Sequence, residues 1–221
     1  AARDGAVHGL TLSVVAGERV VLAGPNGAGK STLLLLACGL LAPREGSVLL
    51  AGKPASARKA KGEKPRVALV FADPDDQLFC ATALDEVAFS PRRAGLAPEA
   101  CVTRATELLT AMGLAKYAKR EPLGLSLGEK KRLAIASALA TEAPLLLMDE
   151  PTAGLDPRAR RELLALLRAL PSALLIATHD LDAARALDAR VVLLDGGALV
   201  ADGPHATVLG DAALLERHGL A

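Results

Sequence analysis

The chain of 221 residues carries 26 basic and 25 acidic side chains, is 51% apolar and holds four aromatic residues, three Phe and one Tyr. That length buries a sizeable core in one large domain, or in one domain with an inserted lobe, and the core has to be built from Leu, Val and Ala. The charge balance argues against nucleic-acid binding through a strongly basic face, and the longest apolar run, residues 33–42, is about half of the roughly 20 residues a membrane-spanning helix needs.

Hydrophobic periodicity predicts the elements in chain order. "LTLSV" (10–14) and "RVVLA" (19–23) read as strands, the second running into a glycine-rich loop, and "KSTLLLLACGLL" (30–41) as a buried helix. "GSVLLAG" (46–52) and "RVALVF" (66–71) are further strands, separated by "KPASARKAKGEKP" (53–65), a charged stretch expected to be a solvated loop. From residue 73 to 140 helical patterns dominate, among them amphipathic helices over 98–112 and 129–140. "LLLMD" (145–149), "ALLIAT" (173–178), "RVVLLD" (190–195) and "ALVADG" (198–203) return to strand, with helices between them. Strands alternating with helices imply a mostly parallel sheet in an α/β fold, here with an inserted α-helical lobe.

The three cysteines, Cys38, Cys80 and Cys101, are scattered and lack metal-ligand spacing. They read as small apolar side chains in a reducing compartment. With no signal-peptide pattern in view, the sequence is expected to act in the cytoplasm and to reach a membrane through a partner.

Chemistry concentrates first in "GPNGAGKST", Gly24, Pro25, Asn26, Gly27, Ala28, Gly29, Lys30, Ser31 and Thr32. It fits G-x-x-x-x-G-K-[ST] and lies between a predicted strand and a predicted helix, where glycines let backbone amides curl round a phosphate. The helix N-terminus adds positive potential, Lys30 should reach the β- and γ-phosphates, and the Ser31 hydroxyl should bind Mg²⁺. "LLLMDEP" ends a strand in two acids at the same crevice, because ligands bind beyond the carboxyl ends of such strands. Asp149 is placed there to hold Mg²⁺ and Glu150 to act as general base on water. An Asp-Glu pair alone would be a solvated strand end; the glycine loop reverses that weighing. His179 follows "LLIAT" at a third strand tip, from which it could touch a γ-phosphate, although a lone His is more often structural. Ser126 and Gly128, in "LSLGEKKRLAIASAL", open a helix; alone they read as an ordinary cap on a helix with a basic face.

Taken together, the glycine loop, the loop "VFADPDDQLF", "LSLGEKKR", "LLLMDEPTAGLDP" and "ATHD" follow the order found in ATP-binding cassette ATPases, and the resemblance covers essentially the whole chain. More narrowly, "VFADPDDQLFCATALDEVAFSP" resembles the ATPase subunits of cobalt and energy-coupling-factor importers. The resemblance implies a P-loop NTPase core with a mostly parallel sheet, an N-terminal antiparallel β region, and a helical lobe over 73–140 inserted in a single domain over 1–221. It implies ATP and Mg²⁺ as cofactors, and a second ATPase copy head to tail, preferred as a homodimer. In that pair Ser126 and Gly128 of one copy grip the γ-phosphate held by the other, and Asp156 lies across the seam. Hydrolysis would energise an importer for cobalt, a related transition metal or a vitamin. The partners would be an integral membrane coupling subunit and a substrate-capture subunit, with no nucleic acid, and the location the cytoplasmic face of the cell membrane.

Three positions depart from the family pattern. Ala72 stands where a glutamine normally contacts Mg²⁺ and the attacking water, and Gln77 or Asp73 is the candidate to compensate. Leu127 replaces a glycine, which a left-handed backbone there would disfavour. No aromatic residue precedes Gly24 to stack on adenine; in the family it falls near or just before residue 1, so either it lies ahead of residue 1 or His8 or Arg3 substitutes weakly. Alternatives from other classes remain: a soluble cassette ATPase of repair or translation, and a regulatory nucleotide-binding module with little turnover. One cassette without sustained heptads weighs against the first, and Lys30, Asp149, Glu150 and His179 against the second.

Overall fold

The computed structural model describes residues 7–55 and 64–220. Four apolar runs fold as the central strands β1 (Arg19–Ala23), β5 (Leu145–Asp149), β6 (Ala173–Ala177) and β7 (Arg190–Asp195). β4 (Val67–Val70) flanks them on one side and β8 (Ala198–Pro204) on the other, in the order β4-β5-β6-β1-β7-β8. All pairs are parallel except β7 with β8. Near-continuous apolar strands suit a parallel sheet because both faces are covered. Side chains alternate between two cores. Val20, Leu22, Leu147, Leu175 and Val192 face Leu34 of helix α1 (Lys30–Ala37), while Val21, Leu146, Met148, Leu174, Ile176 and Val191 face the opposite core. Nearly all of these are wholly excluded from solvent, and each contributes about 1.5–3 kcal/mol by burial.

The opposite face receives three helices, α2 (Ala83–Arg93), α3 (Pro98–Ala111) and α4 (Leu127–Leu139), which pack on one another and, through α4, on β4. Further along lie α5 (Pro157–Arg168), α6 (Leu181–Leu187) and the short α7 (His205–Val208) and α8 (Ala212–Arg217). Glu86 of α2 is 2% exposed, and its carboxylate accepts from the Phe79 and Cys80 amides at 2.9 and 2.8 Å. This fixes the end of the loop after β4 and leaves Phe79 exposed, edge-on to Phe89 with centroids 4.9 Å apart. No helix among the described residues is long and apolar enough to cross a membrane.

Several sequence expectations are corrected. Residues 10–14 form no strand: Leu10, Leu12 and Val14 do pack alternately on the α1-side core, but the Ser13 carbonyl accepts from the Arg190 guanidinium at 3.1 Å. The antiparallel hairpin near this end is instead β2 (Leu49–Leu50) with β3 (Lys53–Pro54), turning through Ala51 and Gly52 at φ 50 and 74°. Two positive φ angles in a two-residue turn match the twist of a hairpin, so Lys53 and Pro54 leave the expected loop; residues 56–63 of that loop lie outside the described ones. Helix α1 stops at Ala37, four residues before the expected end. There Gly39 takes φ 76°, and Leu40 and Gly39 donate back to the Leu35 and Leu36 carbonyls at 3.0 and 3.1 Å, a closure that glycine favours.

Candidate functional site

The turn between β1 and α1 is set by its glycines. Gly24, Gly27 and Gly29 have φ of 149, 83 and 99°, and a Cβ on Gly24 would stand 2.1 Å from the Leu194 carbonyl oxygen. The Ala28 amide closes the turn on the Pro25 carbonyl at 3.2 Å. Gly29, at the start of α1, brings no side chain to cap the helix, so the partial positive charge of its first amides is left for an anion. Lys30 is 7% exposed and arches back to donate to the Gly24 and Pro25 carbonyls at 2.7 and 3.0 Å. Burial lowers its pKa, while Glu150 and Asp149 act to raise it. Asn26, Gly27, Ala28, Gly29, Lys30, Ser31 and Thr32, with Ala72, Asp149 and Glu150, line a cleft of about 350 Å³.

Strand register delivers the acids. Asp149 pairs with Ala177 and Leu22 pairs with Ala177 from the other side, so the tips of β1, β5 and β6 are level. Burial raises the Asp149 pKa, opposed by a hydrogen bond from Ser31 and by the charge of Lys30. A hydroxyl beside a carboxylate, next to a phosphate cradle, is a donor set that fits Mg²⁺, which prefers a few protein oxygens completed by phosphate and water. Glu150 follows at φ 44°, and its amide is tied to the Ala177 carbonyl at 2.8 Å. Its carboxylate accepts from the Thr178 hydroxyl at 3.0 Å and the His179 amide at 3.1 Å, with His179 Nδ1 2.9 Å away. His179 thus stands beside Glu150, its ring largely exposed.

Ser126, Gly128 and Asp156 lie apart from the cleft. Ser126 caps α4 in a reciprocal box with Glu129: its amide and hydroxyl both donate to the Glu129 carboxylate at 2.9 Å. Asp156 caps α5, accepting from the Arg158 and Ala159 amides at 2.8 and 3.0 Å. The two helix starts are neighbours, since a Cβ on Gly128 would meet Ala159 and Leu155 at 3.6 Å. Leu127 is the first residue of α4 and is not among the residues with positive φ, so its side chain meets no backbone penalty.

The loop after β4 brings Ala72 to the cleft wall. Asp73 accepts from the Asp75 amide at 3.0 Å and Gln77 from the Phe71 amide at 2.8 Å, so each side chain gives one oxygen to the loop itself. His8 sets one ring nitrogen 3.1 Å from the Gly196 carbonyl, and Arg3 lies outside the described residues. Two residues at the site escaped the sequence reading. Thr178 gives its hydroxyl to Glu150. Lys131, 4% exposed, donates to the Glu150 carbonyl at 2.7 Å and the Ala72 carbonyl at 3.3 Å. Its signal was a lysine in register with buried Ala134, Ile135 and Ala138 on α4, where helical spacing predicts an apolar side chain.

The family model described as ABC transporter matches residues 7–153. The chain is 44% identical over 220 residues to the cobalt import ATP-binding protein CbiO of Rhodobacter capsulatus, covering 97% of this chain and 79% of that one. Among solved structures it resembles cbiO1 from Clostridium perfringens, part of the ABC transporter complex cbiONQ. The TM-score is 0.82 at 31% identity, over 97% of this chain and 88% of the other. A dimeric ATP-binding cassette in a post-hydrolysis state with ADP and Pi gives a TM-score of 0.79 at 29% identity, over 90% of each chain.

Proposed function

The chain belongs to the ABC transporter family as an ATP-binding, ATP-hydrolysing subunit, and from that premise we propose that it powers a membrane importer for cobalt or a related transition metal. The cobalt reading draws on likeness to CbiO proteins. The cargo itself would be selected by other subunits, so a vitamin importer uses the same engine. Residues 73–140 serve as the helical lobe within a cassette spanning 1–221. The subunit works at the cytoplasmic face of the membrane, peripherally, beside an integral coupling subunit and a substrate-capture subunit.

One observation carries the hydrolytic reading: Glu150 stands at the lip of the phosphate cleft with its carboxylate aimed by Thr178 and His179. The residues from Gly24 to Thr32 hold the triphosphate of ATP, with Lys30 exchanging its loop carbonyls for phosphate oxygens. Ser31 and Asp149 would hold Mg²⁺, which would supply positive charge to offset that developing on the phosphates. Glu150 accepts a proton from the attacking water as general base, and His179, hydrogen-bonded to it, orients that carboxylate and faces the γ-phosphate. Water then attacks phosphorus, the bond to the β-phosphate oxygen breaks, and ADP and phosphate result.

Ser126, Gly128 and Asp156, on helix starts outside the cleft, fit a second role: completing the site of a second copy. The dimeric cassette among the solved neighbours supports that arrangement. A self-complementary pair predicts that Mg-ATP turnover per chain rises with protein concentration and then levels off. Turnover per chain that is flat from nanomolar to micromolar concentration, with the chain monomeric by sedimentation, would count against the dimer. ATP binding without turnover at any concentration favours the regulatory module, the reading that Ala72 motivates.

A further inference from the structure

Lys131 sits on the apolar stripe of α4, yet its side chain is a cation. A buried ammonium loses several kcal/mol of hydration, and a Leu or Met of similar volume would avoid that loss. The lysine is instead used at both ends of one gap. Its Nζ donates to the carbonyl of Glu150 at 2.7 Å and to the carbonyl of Ala72 at 3.3 Å; burial lowers its pKa, while the charges of Glu150, Asp73 and Asp149 act to raise it.

Each carbonyl belongs to a residue that needs holding. Glu150 has φ 44°, a conformation an L-residue with a long side chain occupies only when its surroundings over-determine it. Its amide is fixed by Ala177 and its carboxylate by Thr178 and His179. Besides the Ala153 amide at 3.2 Å, the carbonyl is held by Lys131. Ala72 has only a methyl group, so the head of its loop reaches the acids through its backbone. The next helical residue back, Lys130, pairs with Asp75 of the same loop at 2.8 Å. Two successive lysines therefore clamp that loop onto α4, and one of them continues to Glu150.

We propose that Lys131 is a positioning residue for hydrolysis: its ammonium bridges the Ala72 and Glu150 carbonyls, holding the base and the loop head in one geometry that an alanine side chain cannot enforce. The proposal rests on Glu150 being the base. Because Lys131 does not itself line the cleft and reaches it only through the carbonyls of Ala72 and Glu150, away from the residue 26–32 loop, its loss should act on the chemical step and spare ATP binding.

The test compares K131M, which has no donor, with K131R, which keeps a cation, in steady-state Mg-ATP hydrolysis and fluorescent-nucleotide binding. K131M is expected to lose about tenfold or more in kcat with KM and ATP affinity within about threefold, and K131R to recover most of the loss. A K131M kcat within about twofold of the parent overturns the proposal, as do parallel losses of kcat and ATP affinity in both variants. Should K131M fail to fold, K131L, also apolar and without a donor, is judged by the same criteria. E150Q measured alongside separates the two readings. Full turnover by E150Q sinks the base assignment and, with it, the premise of the positioning role, whereas a K131M of parental kcat beside a silent E150Q sinks the positioning role alone.

Discussion

Ala72 is where one side chain is expected to bear on a rate. Its methyl lines the cleft without an oxygen to offer, and Gln77 and Asp73 are engaged with Phe71 and Asp75. Restoring the family's glutamine with A72Q adds one polar contact to water and metal. If that contact strengthens in the transition state by about 1 kcal/mol, kcat rises about fivefold with little change in KM. A measured kcat for A72Q at or below the parent's would show that a glutamine contact from this position adds nothing to the transition state. The phosphate loop was fully legible in sequence because glycines at fixed spacing have one mechanical use. The partners of Glu150 were not, since Thr178 and Lys131 acquire their roles from strand register and from a helix packed across the sheet.

At the scale of elements, α4 combines two explanations that the sequence set against each other. Ser126 caps the helix in a reciprocal box with Glu129, as the plain structural reading required, and the same residue opens the helix proposed to face a second copy's γ-phosphate. Substitution can part them. S126N retains an acceptor for the helix amides and a donor for Glu129, so its melting temperature should stay near the parent's, while its larger side chain would crowd a γ-phosphate and suppress turnover. S126N with parental turnover and parental stability would leave Ser126 as a cap alone. Element boundaries were legible where chemistry marked them, as at Pro98, where α3 begins, and within two residues at Ser126, where α4 begins at Leu127 and not at 129. They were missed where a backbone turn, such as Gly39 with its two returning amides, ended a helix inside an apolar run. The residue 10–14 segment was misread for the complementary reason: its alternation reported a face, and a face does not require a ladder.

For the molecule as a whole, acid stability follows from where its carboxylates are spent. Asp180 accepts from Arg160 at 2.5 and 2.6 Å and from Thr152 at 3.1 Å; burial works against its ionisation, but Arg160 prevails and its pKa is lowered from 3.8. Asp202 is lowered likewise, chiefly by its hydrogen bond with Arg190, which also holds Glu18. A carboxylate with a depressed folded pKa binds fewer protons in the native state, so its contribution is complete above the unfolded value and disappears as pH falls through the folded one. R160M is therefore expected to cost about 2 kcal/mol near neutrality, with the gap to the parent closing as thermal melts are taken below pH 3.8. A gap independent of pH would mean that Arg160 acts through packing alone. The sheet order β4-β5-β6-β1-β7-β8 was not readable from the chain, though the parallel class was, because alternation of strands and helices fixes the crossovers and leaves their sequence in space open.

The left-handed backbone of Glu150 has a consequence for how such a protein can evolve. Glycine or asparagine would sit at φ 44° with less strain than glutamate, so drift under selection for heat tolerance alone runs toward those residues. Each step in that direction discards the carboxylate at the cleft. Thermal robustness and the proposed role of the carboxylate thus pull on the same codon in opposite senses.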